Sequence, residues 1–284
     1  FLSCVSERVI SAPSSPTFEM ADPIDEAEAL RRLRATDDPS AQYYAAWWLG
    51  RHRSQHPDTL PLLLVAMRQR RARQLGDGVE ENAVARNATR AVGKLGPSAS
   101  EAIPVLLELL EDPDYGLREA AARSLGELKA KVALPALVAR LRSGPNVAGA
   151  RAADSANLVE PCEALLEAIG DLGTSDDEVI GVLESFLAHE RPVVQSSACR
   201  SLLQLTQEPR WGERLKTLLL HPQLQVRRAA LMDLGATGWR PATQAIAATL
   251  AENSLKLIAL KGLVESAPSD GLDEEIFDVM DGLL

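Results

Sequence analysis

The segment Val226-Arg227-Arg228-Ala229-Ala230-Leu231-Met232-Asp233-Leu234-Gly235 repeats the earlier Leu117-Arg118-Glu119-Ala120-Ala121-Ala122-Arg123-Ser124-Leu125-Gly126. Apolar and small residues recur at the same steps in both, separated by Arg and acidic residues, and both end in Leu-Gly. Looser copies end at Gly50, Gly93 and Gly170, and one ends at Leu203, where leucine replaces the glycine. Self-similarity of this kind identifies an array of helical repeats, in which each unit buries its apolar face against the next. Such an array presents an extended surface and no single deep pocket, so the functional question is what that surface holds.

Working outward, the turns within repeats are marked by Asp38-Pro39-Ser40, Asp112-Pro113-Asp114 and His221-Pro222. Each places Pro near a helix start, where a missing amide hydrogen is tolerated. The pattern predicts helix pairs near 23–53, 58–96, 99–128, 131–172, 176–205, 208–236 and 239–266, followed by an amphipathic helix near 270–284. The long gap between Gly126 and Gly170 is taken up by Ser143–Asn157, a Gly-, Ala-, Ser- and Asn-rich stretch that reads as an extended loop. No strand-like alternation competes with this pattern. The expected fold is all-α: a right-handed α-solenoid of about seven helix pairs over residues 20–266, with a C-terminal capping helix over 267–284. Residues 1–19 read as a Ser- and Pro-rich leader, disordered or not native, with Met20 a credible true start. The repeated glycines are read as sites of close helix approach or helix ends, and Asp114 with Arg118 as a stabilising pair one turn apart.

Composition bounds the function. The chain of 284 residues carries a formal charge of −10, which argues against general nucleic-acid binding, since phosphate neutralisation needs local positive charge. No apolar run approaches the roughly 20 residues needed to span a bilayer. Three cysteines, Cys4, Cys162 and Cys199, have no metal-ligand spacing and leave one unpaired in any disulfide scheme, which favours a reducing compartment. Cys162 and Cys199 fall in helical patterns and read as buried thiols. His52, His56, His189 and His221 are dispersed, and no metal site is expected.

One segment breaks the repeat's own rule: Tyr43-Tyr44-Ala45-Ala46-Trp47-Trp48-Leu49-Gly50. Aligned on Gly50, Tyr43 falls where other repeats carry Arg86, Glu119 and Arg228, Trp47 where they carry Arg90, Arg123 and Met232, and Trp48 where they carry Ala91, Ser124 and Asp233. Aromatic residues at such positions point either to a binding surface or to packing at the end of the array. Tyr43 and Trp47 share one helix edge and Tyr44 and Trp48 the next, so one pair is expected to be core and the other surface. Arg68, Arg70, Arg71 and Arg73 form a basic cluster, either a solvated face or an anion site. Glu160, Glu163 and Glu167 form a carboxylate stripe, either solvated or available for acid–base work.

Four segments, taken in order, are similar to a known family. They are Tyr43-Tyr44-Ala45-Ala46-Trp47-Trp48-Leu49-Gly50, Ala85-Arg86-Asn87-Ala88-Thr89-Arg90-Ala91-Val92-Gly93-Lys94-Leu95-Gly96, Glu160-Pro161-Cys162-Glu163-Ala164-Leu165-Leu166-Glu167-Ala168-Ile169-Gly170, and Ser254-Leu255-Lys256-Leu257-Ile258-Ala259-Leu260-Lys261-Gly262-Leu263. Over residues 24–266 the chain resembles the E subunits of heterodimeric E/F-type phycobilin lyases, a branch of the HEAT-repeat proteins. The resemblance implies a soluble subunit of the cyanobacterial cytosol, associated with the phycobilisome. With an F-type partner subunit, it would attach phycocyanobilin, an open-chain tetrapyrrole, through a thioether to a cysteine of the phycocyanin alpha apoprotein. Bilin is then a substrate and no permanently bound cofactor is expected.

Such a lyase needs no nucleophile of its own, because the acceptor supplies the thiol; holding the bilin in one geometry suffices. On this reading Tyr43, Tyr44, Trp47 and Trp48 would wall the pyrrole rings, and Arg86, Arg90 or the Arg68–Arg73 cluster would hold propionates. Glu163, Glu167 and Asp233 would meet the pyrrole nitrogens or protonate the bilin. Lys256 and Lys261 lie too far around one helix to grip a ligand together, so one is expected to be structural. Two alternatives remain at this stage: a non-catalytic adaptor or chaperone for phycobiliproteins, and a protein that detaches bilin or assists phycobilisome disassembly.

Overall fold

The sequence writes each repeat as a short apolar helix, a turn, and a longer second helix ending in a small residue. The computed structural model describes residues 24–69, 82–267 and 273–284, and follows that script. The first helices are α1 (Glu26–Arg34), α3 (Thr59–Met67), α5 (Ile103–Leu109), α7 (Leu134–Leu141), α9 (Asp177–Ser185), α11 (Pro209–Leu218) and α13 (Thr243–Ala248). The second helices are α2 (Pro39–Arg51), α4 (Ala83–Leu95), α6 (Tyr115–Glu127), α8 (Cys162–Leu172), α10 (Pro192–Thr206), α12 (Leu224–Gly235) and α14 (Asn253–Ser266). A last helix, α15 (Glu274–Leu283), packs on α13 and α14 and buries Ile276, while Phe277 stays exposed. No strand occurs among the described residues. The leader, Arg70, Arg71 and Arg73 of the basic cluster, and residues 268–272 of the expected capping helix fall outside them.

Helix starts are fixed by side chains that accept orphan amide hydrogens. Asp25, Asp38, Asp114 and Asp176 accept from Glu28, Ala41, Leu117 and Val179 at 2.7, 2.9, 2.9 and 2.9 Å. Each such cap contributes about 1 kcal/mol. Helix ends are served by a recurring residue of the second helix, eight positions before its terminal small residue. Gln42 donates to the Leu33 carbonyl, Arg118 to those of Asp112 and Pro113, Gln195 to His189, and Arg227 to His221 and Pro222. These carbonyls close the first helix or its turn and have no partner in the helical ladder. Arg118 therefore turns away from Asp114. Asp114 caps α6 and accepts from Asn82, and Arg118 bonds to carbonyls and pairs with Glu160 at 3.3 Å.

The second helices stack at very short range. A Cβ added at Gly50 would lie 2.7 Å from the Ala91 Cα, one at Gly126 3.0 Å from the Ala168 Cα, and one at Gly235 2.9 Å from the Ala259 Cα. The glycines are thus sites of close approach, which any larger side chain would force apart. The 143–157 stretch is a loop of turns with one antiparallel bridge, Arg151 to Leu158. It is pinned by Arg191 to the Ala156 carbonyl (2.7 Å) and by His189 Nε2 to the Gly149 carbonyl (2.9 Å).

Candidate functional site

Because the second helices stack in register, the residues seven and three positions before each terminal small residue form two rows along one face. From α2 to α12 the rows read Tyr43/Trp47, Arg86/Arg90, Glu119/Arg123, Glu163/Glu167, Ser196/Arg200 and Arg228/Met232. Neighbouring charges link up: Arg90 to Glu119 at 3.6 Å, Arg123 to Glu119 at 3.3 Å, Arg123 to Glu167, and Arg200 to Glu167 at 3.3 Å. Arg200 also meets both carboxylate oxygens of Asp171 at 3.0 Å.

Where α6, α8, α10 and α12 converge, the face sinks into a cavity of about 310 Å³. Glu163, Glu167 and Asp233, the three carboxylates singled out from the sequence, all line it, opposite Arg123 and Arg200. Val193, Ala229 and Met232 complete an apolar wall. Three carboxylates against two guanidiniums leave the cavity poised to accept hydrogen-bond donors or a proton. Burial raises the proton affinity of Asp233 most, pushing its pKa up to about 7; the Glu167 charge adds to this, while Arg200 and the Ser196 hydroxyl oppose it. Glu163 is also raised, by burial and then by Glu167. Glu167 is held by Arg123, Arg200 and the Ser197 hydroxyl (3.1 Å). Buried carboxyls of raised proton affinity lining one cavity are suited to moving protons.

The aromatic candidates lie elsewhere on the same face. Tyr43, Tyr44 and Trp47 are exposed at 37%, 62% and 47%, with the two tyrosine rings edge to face at 5.7 Å. Trp48 is half-buried against the core and stacks on His52 at 4.1 Å. The expected split into one core pair and one surface pair is therefore corrected: it runs within the Tyr44/Trp48 pair. Arg86 is half-buried against Gly116, and Arg90 is exposed beside Glu119. With neighbouring helix axes 8–10 Å apart, α2 and α8 are separated by roughly 25–30 Å. The structure thus groups the carboxylates, leaves the aromatics at the other end of the face, and places Arg86 and Arg90 between.

Sequence reasoning missed Arg200, Ser196 and Ser197. The signal was present: aligning α10 on Leu203 puts Ser196 and Arg200 in the rows of Glu163 and Glu167. Lys256 is the structural lysine of its segment, buried with its ammonium on the Ala247 carbonyl at 2.9 Å, whereas Lys261 is exposed and pairs with Glu265. Cys162 and Cys199 are buried, and burial pushes both thiols up to about 12, away from the thiolate form a nucleophile needs. Among the described residues no cluster of His, Cys, Asp and Glu could hold a metal ion. Nor is any described helix long and apolar enough to cross a membrane.

Stacked helix pairs with a charged, partly recessed row along the second helices define an α-solenoid of the HEAT type, and residues 74–157 match the HEAT repeats family. Relatives align over almost the whole chain. The bilin biosynthesis protein RpcE of Synechococcus sp. (strain WH8020) is 46% identical, over 95% of this chain and 99% of its own length. The phycocyanobilin lyase subunit alpha of Picosynechococcus sp. (strain PCC 7002) is 42% identical, over 94% and 99%. A chain of the solved complex of CpcE and CpcF of phycocyanin lyase from Nostoc sp. PCC7120 superposes with a TM-score of 0.81 at 40% identity, over 99% of this chain and 100% of that one. The chain belongs to the phycocyanobilin lyase alpha-subunit family.

Proposed function

We propose that this chain is the E-type subunit of a heterodimeric bilin lyase of the cyanobacterial cytoplasm. With an F-type subunit it binds phycocyanobilin and delivers it to a cysteine of the phycocyanin alpha apoprotein, where a thioether forms. The observation that carries the reading is the family membership over nearly the full chain. The cavity of Glu163, Glu167 and Asp233 beside Arg123 and Arg200 supports it.

The acceptor cysteine supplies the nucleophile, so the lyase contributes position and proton management. Glu163, Glu167 and Asp233 accept from pyrrole N–H groups and exchange a proton with the conjugated system. Arg86 and Arg90, one end of the charged row, take propionate carboxylates. Tyr43, Tyr44 and Trp47 offer exposed flat faces to bilin or acceptor, and Trp48 supports them from the core side. Bilin is substrate here, not resident cofactor.

The test is co-expression with an F-type subunit, phycocyanin alpha apoprotein and a phycocyanobilin-producing pathway. The acceptor is then read on a denaturing gel by zinc-enhanced bilin fluorescence. Covalent fluorescence that requires this chain is the expected result. A dark acceptor, with all proteins soluble and bilin present, would refute the assignment.

A further inference from the structure

Two departures from the repeat pattern meet each other in the cavity wall. Two residues before the terminal small residue, the stacked helices α4, α6, α8 and α10 carry Ala91, Ser124, Ala168 and Ser201, all small, as close stacking requires. On α12 that position is Asp233, only 4% exposed. Seven residues before, α2, α4, α6, α8 and α12 carry Tyr43, Arg86, Glu119, Glu163 and Arg228, all large, whereas α10 carries Ser196, fully buried. The small residue makes room for the misplaced carboxyl, and the Ser196 hydroxyl donates to Asp233 Oδ2 at 2.5 Å. A buried carboxyl where an alanine would pack costs stability that hydrogen bonding only partly offsets, and such groups cluster at functional sites.

The pair is also directional. Asp233 lines the cavity but Ser196 does not, so the serine grips the carboxyl from behind. The other oxygen, Oδ1, lies 3.7 Å from Arg200, itself on the cavity wall. Across the cavity the charged groups facing Asp233 are Arg123 from α6, Glu163 and Glu167 from α8, and Arg200 from α10; Lys256 of α14 is occupied by the Ala247 carbonyl.

Resting on the bilin-binding reading above, we propose that Ser196 is a positioning residue that fixes Asp233 so that Oδ1 exchanges a proton with an imine-type ring nitrogen of the bound tetrapyrrole. In the forward step the Oδ1–H bond breaks and an N–H bond forms. Neutral carboxyl and neutral nitrogen become carboxylate and iminium, and the Ser196 hydrogen bond strengthens on the new anion. On release of the chromophore the proton returns to Oδ1. No oxidant, reductant or further reactant takes part.

The test has two arms, both on the full chain co-purified with its F-type subunit. Without bilin, the Asp233 carboxyl is titrated by carbon NMR on carboxyl-labelled aspartate and assigned by its disappearance in Asp233→Asn. Loss of the donor in Ser196→Ala raises its midpoint by about one pH unit, and Ser196→Thr, which keeps a hydroxyl, restores it. An unchanged midpoint in Ser196→Ala overturns the positioning role. With phycocyanobilin added, the pH at which the bound pigment's absorption changes from the protonated to the neutral form is read. Ser196→Ala leaves a poorer anion and moves that pH down by about one unit, and Asp233→Asn removes the transition. Bound pigment whose transition is the same in wild type and Asp233→Asn overturns the proton exchange. Wild-type protein that binds no phycocyanobilin overturns instead the bilin reading on which the second arm rests.

Discussion

The two ends of the face formed by the second helices use one backbone register for opposite purposes. At α2 the row positions carry Tyr43 and Trp47, large apolar rings left in solvent. At α8 the same positions carry Glu163 and Glu167, charges drawn into a recess with Arg123, Arg200 and Asp233. Neither end minimises free energy: one exposes what prefers burial, the other buries what prefers water. The difference teaches that the repeat supplies geometry alone. What a stretch of the face does depends on which side chains fill its two rows, and each end departs from the stable choice in its own way.

The comparison is broken most severely by removing a charge from the recess. Arg200→Ala leaves Glu167, Asp171 and Asp233 without their shared partner, and a loss of about 3–5 kcal/mol in urea unfolding is expected. A loss below about 1 kcal/mol would mean that water already reaches these carboxylates and that the recess is not dry.

Next comes pH. Asp233 has a native pKa of about 7 against roughly 3.9 in an unfolded chain, so the native state binds the extra proton between those values. Its contribution to stability is fully present below about pH 4 and is lost as pH rises to about 7. Unfolding midpoints measured from pH 5 to 8 should fall with pH in the wild type and flatten in Asp233→Asn. An identical slope in both would remove Asp233 from the account.

At the aromatic end the neighbouring tryptophans should separate. Trp48→Ala, which empties a half-buried site beside His52, is expected to cost about 2 kcal/mol in thermal or urea unfolding. Trp47→Ala should change stability by less than about 0.5 kcal/mol, as an exposed site does. It should nonetheless lower bilin transfer about tenfold in the co-expression assay, whereas full transfer would make Trp47 a bystander. The smallest effect sharpens the same contrast at the far end of the array. Lys256→Met, which removes the buried ammonium from the Ala247 carbonyl, should cost about 1 kcal/mol, and Lys261→Met less than about 0.5.

Most of the fold was legible because helical repeats announce themselves twice, by periodic apolar residues and by turn chemistry. Asp38-Pro39 and Asp112-Pro113 mark real turns, and Gly50, Gly126 and Gly235 mark real points of contact between helices. The site was only half legible. Glu163 and Glu167 declare themselves by spacing on one helix, but Arg200 and Ser197, which hold Glu167, stand on a helix whose marker glycine has become Leu203. Asp114 and Arg118 show the limit of spacing arguments. They stand where a helical pair would form, yet each is drawn off by an orphan backbone group with a stronger claim. Separation along the face was likewise beyond the sequence, because the candidates recur at a few equivalent positions of successive second helices and such positions carry no distance.

The glycine contacts also govern how the molecule deforms. Where second helices touch through Gly50 and Ala91, Gly126 and Ala168, or Gly235 and Ala259, no slack is left for their backbones to draw closer. That layer behaves as a spine of fixed length. Curvature can change only as a book opens, by spreading or closing the leucine-lined first helices while the spine holds. The spine is interrupted at a single step: between α10 and α12 Leu203 stands where the other second helices have glycine, and the recess lies across that step, so a change of curvature would be felt there first.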